Sequence, residues 1–255
     1  VHGVNFVSEH LSYQSIHHTC KYDFPQTFSG HSPWFRDYRH LADHQARFCF
    51  LAALGEEKNR VLVLHPSTSA WLEDWSLNRI DSPGQDAGWL PCRLRSAQTA
   101  LLEALFERQV DFDLGDEFLL AEMGTTADGL LQLERRAYGT LVLPPLTRNL
   151  PRPTFDLLET WLQGGGRLYS LSADLGRIDG RRNTAEWDRL ARYPGFVACS
   201  DTATLVQLLR VLHPVRLAAA DGSRLPRALC HQRRELDNGE VLFLFVNAGM
   251  DPLSL

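Results

Sequence analysis

The chain has 255 residues, 44% hydrophobic and 22% charged, with 26 basic against 31 acidic side chains and a formal net charge of −5. That composition excludes a mainly disordered chain, and no apolar run approaches the roughly 18 residues of a membrane span. Charges of both signs are mixed along the whole length, so there is no basic stripe to neutralise phosphates; neither nucleic acid nor a membrane is an expected partner.

Five cysteines, Cys20, Cys49, Cys92, Cys199 and Cys230, stand at wide spacings with no CxxC pair. They read as buried thiols, not as zinc or redox ligands, and they leave the compartment open between a cytoplasm and a bacterial periplasm. The first residue is Val1, no signal-peptide pattern follows, and the last residues, Asp251-Pro252-Leu253-Ser254-Leu255, come directly after a strand pattern. The expectation is a piece of a longer polypeptide.

In chain order, Val4-Asn5-Phe6-Val7 is a short β-rich run. A polar, aromatic loop to Ser32 follows, carrying His10, His17, His18 and His31, with His40 just beyond. Loops of that length are functional or packed over another domain. Helix periodicity runs from Pro33 to Leu54 through Tyr38, Leu41, Ala42, Gln45, Phe48, Cys49 and Ala52, with Gly55 as the C-terminal stop.

Arg60 to Leu64 is an apolar strand ending at His65-Pro66, and a Ser-, Pro- and Gly-rich loop leads to a helix expected from Ser96 to Arg108 with Ser96 as its cap. Strands are expected at Val110–Leu114, Gly139–Pro145, Arg167–Leu171 and Phe196–Cys199. Between them lie a short helix capped by Asp116, a helix from Thr154 to Gln163 stopped by Gly164-Gly165-Gly166, and a last helix capped by Asp201. Strands apolar throughout must be covered on both faces, which the alternating helices do. Residues 58–213 therefore read as a flavodoxin-like, doubly wound parallel α/β domain. Beyond His213 the pattern is all β, with Asn238-Gly239 as a hairpin signal between two strands.

The loops of the α/β domain are poor in chemistry. His65-Pro66-Ser67-Thr68-Ser69-Ala70-Trp71 lacks the spacing of a dinucleotide or phosphate loop, although a Ser/Thr loop can hold a flavin phosphate. Pro144-Pro145-Leu146 stands where an amidotransferase-like fold places its nucleophile, and proline cannot form that strained elbow. The N-terminal segment is richer: carboxylate, imidazole and aromatic rings together suit a sugar pocket, where polar groups bond hydroxyls and a ring covers the C–H face. The histidine spacings match no metal-binding helix, so no metal or cofactor is expected.

Gly3-Val4-Asn5-Phe6-Val7-Ser8-Glu9-His10, Tyr13-Gln14-Ser15, Lys21-Tyr22-Asp23-Phe24-Pro25, His31-Ser32-Pro33-Trp34-Phe35 and Val61-Leu62-Val63-Leu64-His65-Pro66 with Ser69-Ala70-Trp71 resemble, in that order, glycoside hydrolase family 106, the α-L-rhamnosidases. Leu141-Val142-Leu143-Pro144-Pro145, the triple glycine, and His231-Gln232-Arg233-Arg234 with Asp237 and Phe243-Leu244-Phe245-Val246-Asn247 continue the resemblance. Departures are His17-His18-Thr19-Cys20-Lys21 in place of a basic run, and Phe35 in place of a second tryptophan.

The resemblance implies that residues 1–57 end a (β/α)8 catalytic barrel, that 58–213 form an amidotransferase-like domain without its nucleophile, and that 214–255 open a β-sandwich. It implies a carbohydrate substrate, with Asn5, Glu9, His10 and Trp34 contributing to a sugar subsite. The catalytic acid and base would come from earlier barrel strands, so the chain alone should be silent. Within the longer polypeptide it would contact the barrel and the β-domain. Two other readings of the residues stand beside it. One is a non-catalytic scaffold docking through Trp71, Trp75 and Trp89; the other is a flavin- or phosphate-binding α/β protein using Ser67-Thr68-Ser69.

Overall fold

The computed structural model describes residues 4–9, 15, 17, 28–72, 90–213, 217–220, 229–247 and 249. In chain order the elements are α1 (Tyr38–Ala53), β1 (Glu56–Glu57), β2 (Val61–His65), α2 (Ser67–Trp71), α3 (Leu90–Glu107), β3 (Asp113–Asp116), α4 (Glu117–Met123) and β4 (Gly124–Ala127). They continue with β5 (Leu130–Leu133), β6 (Arg136–Tyr138), β7 (Thr140–Leu143), β8 (Asn149–Leu150), α5 (Arg152–Gln163), β9 (Arg167–Ser170), β10 (Arg177–Ile178) and β11 (Arg181–Arg182). The last are α6 (Thr184–Leu190), β12 (Phe196–Ala198), α7 (Thr202–Arg210), β13 (Leu229–Glu235) and β14 (Val241–Asn247). The chain divides into two compact units, Val1–Glu57 with Arg233–Phe243, and Lys58–Gln232 with Leu244–Leu255.

The larger unit is built on a five-stranded parallel sheet of order β12-β9-β7-β2-β3. Its strands alternate between two cores. Leu62, Leu64, Leu141, Leu143 and Leu168 face Phe155, Leu158 and Trp161 of α5 and Trp187 of α6. Val61, Val63, Val142 and Tyr169 face Leu101 and Leu105 of α3 and Leu205, Val206 and Leu209 of α7. The apolar-throughout strands thus find a helical layer on each side, as an α/β fold requires.

Several local readings shift. The helix expected at Ser96 starts at Leu90, leaving Ser96 exposed inside it, because Pro91 suits a first turn. The strand expected at 110–114 lies at 113–116, since the parallel register pairs Leu62 with Asp113 and Val110 is drawn into the second core. Asp116 caps α4 by accepting from Phe118 N (2.8 Å) and Leu119 N (3.0 Å), and Asp201 caps α7 through Thr204 N (2.7 Å). The triple glycine ends α5: Gly165 takes φ +92°, and a Cβ on Gly166 would stand 2.3 Å from the Trp161 ring.

Two small antiparallel hairpins turn on Asp-Gly pairs with both φ values positive, Asp128-Gly129 between β4 and β5 and Asp179-Gly180 between β10 and β11. These are the dihedral signs of a type I′ turn. The turn at Asn238-Gly239, with Gly239 at φ +83°, joins β13 to β14. Of the all-β pattern expected beyond His213, residues 214–216 and 221–228 lie outside the described residues.

In the smaller unit α1 starts at Tyr38, after turns from Ser29 to Asp37, so Pro33 precedes the helix. Gly55 takes φ +57°, and a Cβ there would stand 2.2 Å from Glu235 O. Glu56 and Glu57 pair antiparallel with Glu235 and Arg234, and the Arg234 guanidinium donates to the carbonyls of Leu54 and Gly55 at the end of α1. Residues 4–9 carry no strand: a strand exists through its ladder, and none of the described residues pairs with them.

Asp111, before β3, is clasped by two buried histidines. His231 Nε2 on β13 stands 2.8 Å from its Oδ1, His213 Nδ1 lies 3.6 Å from its Oδ2, and the Asp111 amide donates to His213 Nδ1 at 3.3 Å. Burial alone would raise its pKa, but the hydrogen bonds and charge of His213 and His231 bring it down to about 2. Asp111→Ala should cost about 3–5 kcal/mol in urea unfolding at pH 7, because His213 and His231 lose the buried carboxylate they pair with. The folded value lies below the unfolded one, so this stabilisation holds above pH ~4 and fades as the pH falls toward ~2. Asp111→Asn should lack that acid slope.

Candidate functional site

In a doubly wound sheet the place for a ligand is the carboxyl edge of the strands where the strand order reverses. Here that point lies between β2 and β7, since the chain passes from β2 to β3 on one side and resumes with β7 on the other. The chain itself fills it. Ser69, fully buried, accepts from the amides of Arg148 (2.9 Å) and Asn149 (3.0 Å), and its hydroxyl donates to Asn149 O at 3.3 Å. Thr68 Oγ1 accepts from Asn149 Nδ2 (3.0 Å), and Asn149 Oδ1 accepts from Gly180 N (2.8 Å). Ser172 Oγ donates to Thr147 O at 2.5 Å, and Thr147 Oγ1 to Pro144 O at 2.8 Å. Thr68 and Ser69, offered as a phosphate loop, are committed to the protein's own groups.

Pro144-Pro145-Leu146 holds no nucleophile, yet the turn is strained: Leu146 takes φ +64°, a region a branched apolar side chain rarely occupies. Cys199 is half-buried, and burial together with the Asp201 charge pushes its thiol pKa up, away from reactivity. Cys49, Cys92, Cys199 and Cys230 are free thiols, while Cys20 lies outside the described residues. Among the described residues no cluster of His, Cys, Asp and Glu could hold a metal, and no helix is long and apolar enough to cross a membrane.

The polar group that sequence reasoning missed is Glu117. It opens α4 at the carboxyl end of β3, is fully buried, and accepts from Thr68 N through Oε2 at 2.8 Å, while Oε1 has no hydrogen-bond partner. Burial raises its pKa to about 7, against the opposing hydrogen bonds from Thr68. The only sequence signal was an acidic pair after a strand, which reads first as an ordinary cap.

Of the residues expected to form a sugar subsite, Asn5 and Glu9 are exposed and Trp34 is 58% exposed. His10 lies outside the described residues. The structure brings Glu9 to Tyr38: a hydrogen bond between them raises the phenol's pKa, and Phe28 stacks on the Tyr38 ring at 5.6 Å. Trp34 is held at its backbone, its carbonyl accepting from the amides of Asp37 and Tyr38. Of the scaffold tryptophans, Trp71 is exposed and stacked on Phe118, while Trp75 and Trp89 lie outside the described residues.

No protein-family model matches the chain, and no curated protein does. Among solved structures it is similar to a rhamnosidase from Novosphingobium sp. PP1Y, with 18% identity, a TM-score of 0.56, and coverage of 88% of this chain but 20% of that one. A cold-adapted β-galactosidase from Rahnella sp. R3 is matched at 13% identity over 56% of this chain and 18% of that one, with a TM-score of 0.34 that carries no argument. The chain thus shares its fold with one fifth of a much longer enzyme.

Glu117 gives a pH signature. A carboxyl whose folded pKa exceeds its unfolded one stabilises fully below the unfolded value and loses that contribution as the pH rises through the folded value. The chain should therefore lose about 1–3 kcal/mol between pH ~4.5 and pH ~7.5. Glu117→Gln should flatten this slope in denaturant titrations run across the same range.

Proposed function

We propose that the chain is part of a glycoside hydrolase of the α-L-rhamnosidase type. In this reading residues 1–57 complete a catalytic barrel, residues 58–213 form a flavodoxin-like, amidotransferase-related domain without catalysis of its own, and residues from 214 open a β-domain. The observation that carries it is that the fold likeness to the rhamnosidase runs over 88% of the chain, beyond the widespread parallel sheet. The sealed carboxyl ends of the sheet support a scaffold role for the middle domain, and the committed hydroxyls of Thr68 and Ser69 weigh against a flavin phosphate there.

A second support is the apolar surface of the N-terminal segment. Phe6 is 76% exposed and Phe50 64%, with Val4, Trp34, Phe35, Leu41 and Phe48 also open. We read these exposed apolar side chains as ones that the remaining barrel elements would cover. Asn5, Glu9 and His10 would then contribute polar groups to the subsite and Trp34 a wall for the sugar's C–H face.

The test is hydrolysis of an aryl α-L-rhamnoside. The isolated chain should release no product, while the longer polypeptide should. In that longer enzyme Trp34→Ala should raise KM by about 5–10-fold, the loss of one ring contact, with kcat less affected. Release of no sugar from any aryl glycoside by the longer polypeptide would remove the reading.

A further inference from the structure

The short helix α2 closes the carboxyl ends of β2 and β7. Its Ser69 hydroxyl accepts from the amides of Arg148 (2.9 Å) and Asn149 (3.0 Å), Thr68 Oγ1 accepts from Asn149 Nδ2 (3.0 Å), and Trp71 stacks on Phe118 of α4. The Thr68 amide donates to Glu117 Oε2 at 2.8 Å, so the first turn of α4 holds α2 through this carboxyl.

That hold suits one protonation state. Glu117 is fully buried and its Oε1 has no hydrogen-bond partner, so an ionised carboxylate there would exchange the hydration of both oxygens for bonds from Thr68 alone. A buried charge so poorly matched keeps its proton instead. The surrounding elements supply no cation. Asp116, its neighbour in the chain, is acidic and opposes ionisation. On β3 Asp113 is taken by Asn59 Nδ2 and the Tyr138 hydroxyl (2.8 Å each), and at the end of β2 the exposed His65 ring turns to Ser67 Oγ (2.8 Å). From α5, Thr154 donates to the Glu117 carbonyl, while the Arg152 guanidinium is held by Glu186 and Asp156. Arg93 and Arg95 of α3 are exposed, β4 carries no charge, and β8 brings Asn149.

We propose that Glu117 is a proton-held latch on α2: with its proton it keeps the ends of β2 and β7 shut, and on ionisation α2 lifts and uncovers the Arg148 and Asn149 amides. The direction follows from linkage. The carboxyl titrates at about 7 in the closed state and near its ordinary 4.5 once hydrated, so closure is favoured in acid and weakens as the pH rises through about 7. The opening is local, distinct from the loss of overall stability over the same range, and it stands apart from the glycosidase reading.

The experiment is native-state hydrogen–deuterium exchange of the 255-residue chain at pH ~5 and pH ~8, each rate divided by the intrinsic rate at that pH. At the higher pH the Arg148 and Asn149 amides should exchange at least about 10-fold faster than those of β7 and β9 and respond little to low urea, as a local opening does. At the lower pH their relative rate should fall by about 10- to 100-fold. Glu117→Gln should remove this pH step. Absence of the step overturns the proposal, as does a urea response at Arg148 and Asn149 equal to that of β7 and β9, or an undiminished step in the folded variant. The first two readings come from the unsubstituted chain, so they decide the matter even if Glu117→Gln fails to fold.

Discussion

The buried hydroxyl of Ser69 ties the turn after β2 to the segment after β7, across the point where the strand order reverses. A parallel sheet covered by helices on both faces leaves its carboxyl ends as the place where a ligand can reach backbone and side chains together. Here those ends are joined to each other by Ser69, Thr68, Asn149, Thr147 and Ser172. Hydroxyls and amides that satisfy one another inside the fold are lost to phosphate or sugar, since releasing them would strand buried polar groups. The chain's own groups thus occupy the carboxyl ends of the sheet.

Strain and charge locate the exceptions to this economy of contacts. Leu146 keeps a left-handed backbone with an aliphatic side chain in the turn after β7. Glu117 is buried with one oxygen unmatched. Arg177 and Arg182 stand opposite each other in the β10–β11 hairpin. Local rules broken without local compensation are where function is to be sought, and the three differ in what they offer. The first carries no reactive group, the second is shut from solvent, and the third is exposed.

The parallel sheet was legible because its strands are continuous apolar runs separated by helical periodicity, as in Val61–Leu64 and Leu141–Leu143. Caps were legible for the same local reason: Asp116 and Asp201 bond amides two or three residues away, so their role is written within one turn. The Asp128-Gly129 and Asp179-Gly180 hairpins were equally local, and they escaped because the flanking strands, two to four residues long, are too short to stand out. The N-terminal strand failed differently. Val4–Val7 has the right residues, but pairing depends on a neighbour, and no described residue supplies one.

By itself the sequence determined the α/β class, the two-sided burial of the central strands, the helix stops and the absence of a nucleophile after β7. These depend on residue type and on spacings of a few positions. Tertiary structure alone decided that Ser69 is consumed by Asn149, 80 residues away, that Asp111 is gripped by His213 and His231, more than 100 residues on, and that Trp71 stands on Phe118. Such pairings are set by register and crossing geometry, and composition carries no trace of which distant group a buried polar atom will meet.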